Sequence, residues 1–298
     1  MLINNPNLEA LRVGFKTSFQ QAFDQVETYH TRVATTVTST SSANVYGWLK
    51  DLPGMREWIG ARLIKSLGEN AYTLQNKPFE STVGVNRDHI EDDELGQYDM
   101  LFANLGEMAA QHPDQLVFDA LSKSFEAECF DGQPYFDADH PTIDKNGKET
   151  TYSNILTGSS TPWFFMKAKG KIKPLIYQQR KKAEFVSMDK PTDEPVFSRK
   201  EFVYGVDTRE AAGYTYPQLA IGAKTALDAA SLKAARKMLR EMKGDQGRVL
   251  NVVGDTLVVP PELEDTAREL LLAERNAAGA TNTLQGTAEL LVVPYLTA

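Results

Sequence analysis

Cysteine is almost absent from this chain. Cys129 is the one thiol in 298 residues, so no disulfide can form within the chain and a reducing compartment is expected. Histidine is scarce as well: His30, His89, His112 and His140 are scattered, with no HExxH pair to hold zinc. Neither GxGxxG nor GxxxxGK[ST] occurs, which removes the common phosphate-cradling loops. No apolar run approaches the roughly 18 residues of a membrane helix. The opening, MLINNPNLEALRVGF, has no basic and no apolar segment of the kind a secretory leader needs, so none is expected. Positive charge is in deficit, with a net charge of −8 and a pI near 5.2. The chain as a whole is therefore not a nucleic-acid binder by its field.

What is present is enough for a real core. Hydrophobic residues make up 42% and charged residues 24%, consistent with one large or two modest globular domains. The chain is organised around 92–130. There Leu95, Tyr98, Leu101, Leu105, Met108, Ala109, Leu116, Val117, Ala120, Leu121 and Phe125 recur at gaps of three and four, one stripe of a helix. Asp92, Asp93 and Glu94 suit its N-terminus, and Pro113 predicts a kink or two consecutive helices. Such a helix is about 50 Å long at about 1.5 Å per residue, a spine across a flat body. The plain alternative is an ordinary core helix.

Asn5 and Pro6 open an amphipathic helix with an aromatic face of Leu8, Leu11, Phe15, Phe19, Phe23 and Val26. That face suits either its own core or a neighbouring subunit. Residues 32–38 read as a strand and 38–43 as a polar loop. A short helix over 54–67 carries Met55, Trp58, Ile59 and Leu63. The stretches 71–74 and 79–85 flank the turn residues 75–78, which predicts a projecting hairpin. Residues 142–161 read as a polar loop or linker. Strands are expected over 163–179 and 196–206, a helix over 227–242, a strand over 257–259, a helix from Pro261 and a last strand over 288–296. Without regular strand–helix–strand alternation the class is α+β.

Three constellations carry possible chemistry. Cys129 and His140 form a conceivable nucleophile and base, with Asp137 or Asp139 orienting the imidazole; the plain reading is a buried structural cysteine. Asp137, Asp139 and His140 lack the spacing of calcium or zinc sites. Lys167, Lys169, Lys171 and Lys173 alternate, so on a strand they form a basic ribbon, continued by Arg180, Lys181 and Lys182. Residues 161–210 hold 11 basic and 7 acidic side chains, a local +4, leaving −12 elsewhere. Such a ribbon suits phosphate or a charged subunit contact, and Glu91, Asp92, Asp93 and Glu94 supply the opposite sign. The alternative is a solvated edge strand guarded by lysines.

Seven stretches in series resemble the major head subunit of Mu-like phages and prophages, the T protein family. They are NVYGWL (44–49), NKPFESTVGVNRDHIEDDELGQY (76–98), CFDGQPYFDADHP (129–141), KPLIYQQRKK (173–182), VFSRKEFVYGVDTREAAGY (196–214), LVVPPELEDTAREL (257–270) and GTAELLVVPYL (286–296). The resemblance implies a Hong Kong 97-like capsid fold. Its N-terminal arm would be 1–50, its extended-loop region 51–92 including the hairpin, its peripheral domain 93–214 with the spine at 93–128, and its axial domain 215–298.

It further implies a non-enzymatic capsid protein of the virion, with no cofactor and no metal. Copies would self-associate into hexamers and pentamers, in the bacterial host cytoplasm, to close an icosahedral shell around double-stranded DNA held non-specifically at the inner face. The family implies a portal, and since the first helix begins almost at Met1, a separate scaffolding protein. Glu91 to Glu94 are expected to meet the basic residues of 167–182 on an adjacent subunit. The other readings are a non-viral compartment of the same fold and a Cys129/His140 hydrolase.

Overall fold

The computed structural model describes residues 3–50, 72–92, 96–190, 192–275 and 279–296. Helix α1 spans Asn5–Gln25, capped one residue earlier than expected because the Asn4 side chain accepts from the Asn7 N–H at 2.9 Å. The next turn, α2 (His30–Val33), precedes strand β1 (Ala34–Thr38). The expected strand at Arg32 thus starts two residues late, since the Tyr29 and His30 N–H groups are drawn to the buried Asp114 carboxylate at 2.9 and 2.7 Å.

Strands β2 (Ala43–Tyr46) and β3 (Tyr72–Gln75) pair antiparallel, with Tyr46 opposite Tyr72. The helix expected over 54–67 lies outside the described residues. The hairpin expected over 71–85 does not form. β3 joins β2, whereas β4 (Lys77–Asn86) joins a strand more than a hundred residues later. Between them Asn76 is buried and anchored rather than turned. Its amide nitrogen donates to Ser39 Oγ and Ser41 O at 2.9 Å, and its oxygen accepts from Gln178 at 2.8 Å.

After α3 (Arg87–Glu91), the spine α4 runs over Gly96–Ser122 as one helix, and Pro113 does not split it. Its buried face differs from the expected stripe. Phe102, Gly106, Ala110 and Asp114 face inward with Tyr98, Leu105, Val117, Phe118 and Leu121, while Leu101 and Met108 are 42% and 50% exposed. Gly106 explains the rotation. A Cβ there would lie 2.2 Å from the Phe19 carbonyl oxygen of α1, so the two helices touch backbone to side (a close approach only glycine permits). The aromatic face of α1 therefore packs on its own chain, with Phe15 stacked on Phe102 at 4.3 Å and edge-on to Tyr204 at 5.3 Å.

The segment 142–161 is structured, not a linker. β5 (His140–Ile143) and β6 (Glu149–Tyr152) form a hairpin with Gly147 at φ +80°, and β7 (Ile155–Leu156) follows. Next come β8 (Trp163–Met166) and the long β9 (Leu175–Met188). The strand expected from Val196 begins as helix α5 (Glu194–Arg199), started by Pro195 and stopped by Lys200 in the left-handed region. Strand β10 then runs over Glu201–Tyr214. The remainder is β11 (Ala220–Ala223), α6 (Ala229–Arg240) with its Asp228–Ser231 capping box, β12 (Thr256–Val259), α7 (Glu264–Leu271) and β13 (Glu289–Val292).

Two main sheets result. One has the order β1-β9-β10-β4, the other β13-β12-β8-β11-β7. The five-stranded sheet is packed on both faces: Trp163 and Phe165 enter a core with α6 and α7, while Phe164 and Met166 enter a second core with the end of α4. The four-stranded sheet packs one face on α1 and α4, through Phe185, Phe202, Tyr204 and Val85.

Candidate functional site: charged assembly surfaces

The four alternating lysines do not lie on a strand. Residues 167–174 form the loop between β8 and β9. Gly170 at φ +138° turns the chain, and the Asp255 carboxylate holds the backbone N–H groups of Ala168 (3.0 Å) and Lys169 (3.1 Å). The side chains consequently fan apart. Lys169 Nζ meets Glu289 at 2.5 Å, and Arg32 shares that carboxylate at 3.2 Å. The hydrogen bond from Lys169 holds the Glu289 carboxyl below its usual range. Lys173 donates to the Thr31 carbonyl, the Lys167 backbone N–H bonds Leu219 O at 2.9 Å, and Lys171 is exposed.

On β9, Arg180 and Lys182 point to solvent from the uncovered face. Lys181 is tied to Asp207 at 2.6 Å and lies 3.7 Å from Glu184. On the acidic side, Glu91 pairs with Arg87 at 3.0 Å. Asp92 caps α3 and is exposed. Asp93 and Glu94 lie outside the described residues. Among the described residues no ion pair joins Glu91 or Asp92 to the basic residues of 167–182. The expected ribbon is thus broken up: Lys169 and Lys181 are paired with carboxylates, Lys173 with a carbonyl, and Lys171, Arg180 and Lys182 are exposed, as Asp92 is on the acidic side.

Cys129 and His140 converge, but on Asp131. The thiol donates to Asp131 Oδ1 at 3.0 Å, and His140 Nδ1 lies 2.8 Å from Asp131 Oδ2. The other ring nitrogen is 3.2 Å from the oxygen of Asn154, whose amide nitrogen donates to the Tyr135 and Pro217 carbonyls. Burial, then the Asp131 charge, pushes the thiol well above its ordinary value, the reverse of what a nucleophile needs. Asp131 takes the orienting role expected of Asp137 or Asp139. Those two face each other at the surface, and the hydrogen bond between them raises the Asp139 carboxyl. The ligand atoms of Cys129, Asp131 and His140 lie within 4.8 Å of one another, close enough to hold an ion, yet each is already satisfied by the others. The arrangement knots 129–154 together.

A second buried network went unread in the sequence because its members are far apart in the chain. Asp114 of the spine receives the α2 N–H groups and lies 2.6 Å from His30 Nδ1. Nearby, the buried Glu210 accepts from the Tyr177 hydroxyl and lies 3.6 Å from His112. Burial raises the Glu210 carboxyl above its ordinary range. These contacts clamp spine, first arm turn and four-stranded sheet into one body.

The chain matches the model of the family described as Mu-like prophage major head subunit gpT over residues 8–296. It is 36% identical to the major capsid protein of Escherichia phage Mu, covering 99% of this chain and 100% of that one. It is also 36% identical to the Mu-like prophage FluMu major head subunit of Haemophilus influenzae, over 91% and 90% of the two chains. Among solved structures, the procapsid of bacteriophage JBD30 matches with a TM-score of 0.87 and 38% identity over 98% of this chain and 100% of that one. The JBD30 capsid matches with a TM-score of 0.80 and 30% identity over the whole of both chains.

Proposed function

The chain belongs to the Mu-like prophage major head subunit family, and from that premise we propose how this capsid protein of Hong Kong 97-like fold builds its shell. Copies associate into hexamers and pentamers that close around packaged double-stranded DNA in the bacterial host cytoplasm. A separate scaffolding protein and a portal direct closure, and DNA is held non-specifically at the inner face. The chain carries out no reaction. The observation that carries this reading is the end-to-end correspondence with the JBD30 procapsid subunit.

The regions divide the work. The arm, 1–50, lies on the spine through α1. The extended-loop region, 51–92, covers an adjacent copy, and within β2 and β3 Tyr46 pairs with Tyr72. The peripheral domain, 93–214, contains the spine and the long strands, and the axial domain, 215–298, is completed by β7 and β8 of the same sheet. Between copies, Asp92 and its two acidic successors meet Lys171, Arg180 and Lys182, the cations left outward on the basic side.

The test is electron microscopy with light scattering on the chain produced alone and with its scaffolding partner. Megadalton shells in the second preparation are expected. A stable monomer in both would overturn the reading.

A further inference from the structure

Helices α6 and α7 pack on the same face of the five-stranded sheet, α6 over β8 and β11, α7 over β12 and β13. The sheet order β13-β12-β8-β11-β7 therefore sets them side by side, α7 at the β13 edge and α6 over the middle of the sheet. On α6, Leu232, Ala235 and Leu239 are buried, and Lys233, Arg236, Lys237 and Arg240 follow at spacings of three, one and three. These four cations share one face. Among the described residues Lys237 pairs with Glu241 at 3.9 Å, while Lys233, Arg236 and Arg240 have no carboxylate within 4 Å. Burial, then the neighbouring Arg240, lowers the Arg236 pKa, an environment that gains from an anion.

The neighbouring helix has the opposite sign. On α7, Ala267 and Leu271 face the core, and Asp265 and Glu269 are exposed on the other side. Arg268 is engaged by Glu264 at 2.7 Å, so it leaves Asp265 and Glu269 uncompensated, and neither has a cation within 4 Å among the described residues. The basic stripe is about 10 Å long and the acidic one about 6 Å, at about 1.5 Å per helical residue.

We propose that the basic stripe of α6 docks on the acidic stripe of α7 in the next copy around a ring, a claim that rests on the shell reading above. Complementary stripes on two different helices make a heterologous contact, and a rotation that closes turns such contacts into a ring. A nucleic-acid partner fits less well. A polyanion approaching this face of the sheet meets Asp265 and Glu269 as well as the cations.

The test uses the full chain with its scaffolding partner, read by light scattering and electron microscopy. Arg236→Glu with Arg240→Glu, and Asp265→Lys with Glu269→Lys, should each lower assembled mass about tenfold, and combining all four should restore it. As a second reading, Arg240→Cys with Glu269→Cys should give an oxidised ladder of linked subunits in assembled material, since Cys129 is buried. Wild-type shells alongside unaffected reversals and no ladder would overturn the contact alone. A wild-type chain that stays monomeric would overturn the shell reading and the contact with it. Intact shells that lose only their nucleic acid on reversing α6 would assign the stripe to DNA and overturn the proposal.

Discussion

The two main sheets use their residues differently. The five-stranded sheet has strands of two to four residues, and β8, β11 and β12 are buried throughout. Such short strands are stable because both faces are covered within the chain. The four-stranded sheet has strands of up to 14 residues; β9 is buried on both faces over Leu175–Gln178, and beyond that only one face is covered. Beyond Thr38 its β9 also loses the β1 neighbour, so that the half carrying Arg180 to Met188 is an open edge. Val186 and Met188 are 48% and 45% exposed there. One sheet completes its burial within the chain; half of the other keeps apolar side chains exposed on one face.

That contrast can be broken from either side. The largest effect is expected at Phe165→Ala in the closed sheet, where loss of a fully buried ring costs about 3–5 kcal/mol, read as a drop in Tm of the isolated subunit. Next is Gly106→Ala at the α1–α4 crossing. A Cβ at 2.2 Å from a backbone oxygen must push the helices apart, at about 1–3 kcal/mol, read by denaturant unfolding.

Glu210 comes third, and its sign is fixed. Its folded-state pKa is raised above the ordinary 4.5, so the native state binds the proton more tightly than the unfolded chain. Its contribution is complete below that value and is lost as pH rises through the raised folded value. Glu210→Gln should flatten this fall in a pH series of unfolding midpoints. The smallest effect is expected at Val186→Ser with Met188→Ser: within about 0.5 kcal/mol for the free subunit, yet a lower yield of shells by light scattering. Equal shell yield would show that the open face has no partner.

The sequence reading succeeded where periodicity is local. Both amphipathic helices could be read because a helix is decided within a few turns of itself. It failed where pairing is remote. Turn-forming residues at 75–78 suggested a hairpin, but β4 finds β10 instead, and nothing near Asn76 reveals that Gln178 will hold it. Alternation misled at Lys167 to Lys173, because Gly170 and the Asp255 cap bend the segment out of strand geometry. At the Cys129 knot the right neighbourhood was found and the wrong aspartate chosen. Asp131 stands beside Gly132, whose φ of +83° turns the chain, and only the fold brings its carboxylate to the imidazole. In the spine, Leu101 and Met108 looked like core by type, yet the close approach at Gly106 selected another face.

The paired tyrosines of β2 and β3 carry a mechanical consequence. Tyr46 donates to Gln178 at 2.7 Å, and Tyr72 accepts from the Tyr214 N–H at 3.4 Å. The β2–β3 pair is therefore fastened to the four-stranded sheet at two points, on β9 and on β10, beside Ile176 and Tyr177, which sit in the two cores flanking the five-stranded sheet. Displacing either strand of the pair must break a side-chain hydrogen bond to that sheet, so pair and sheet move as one piece.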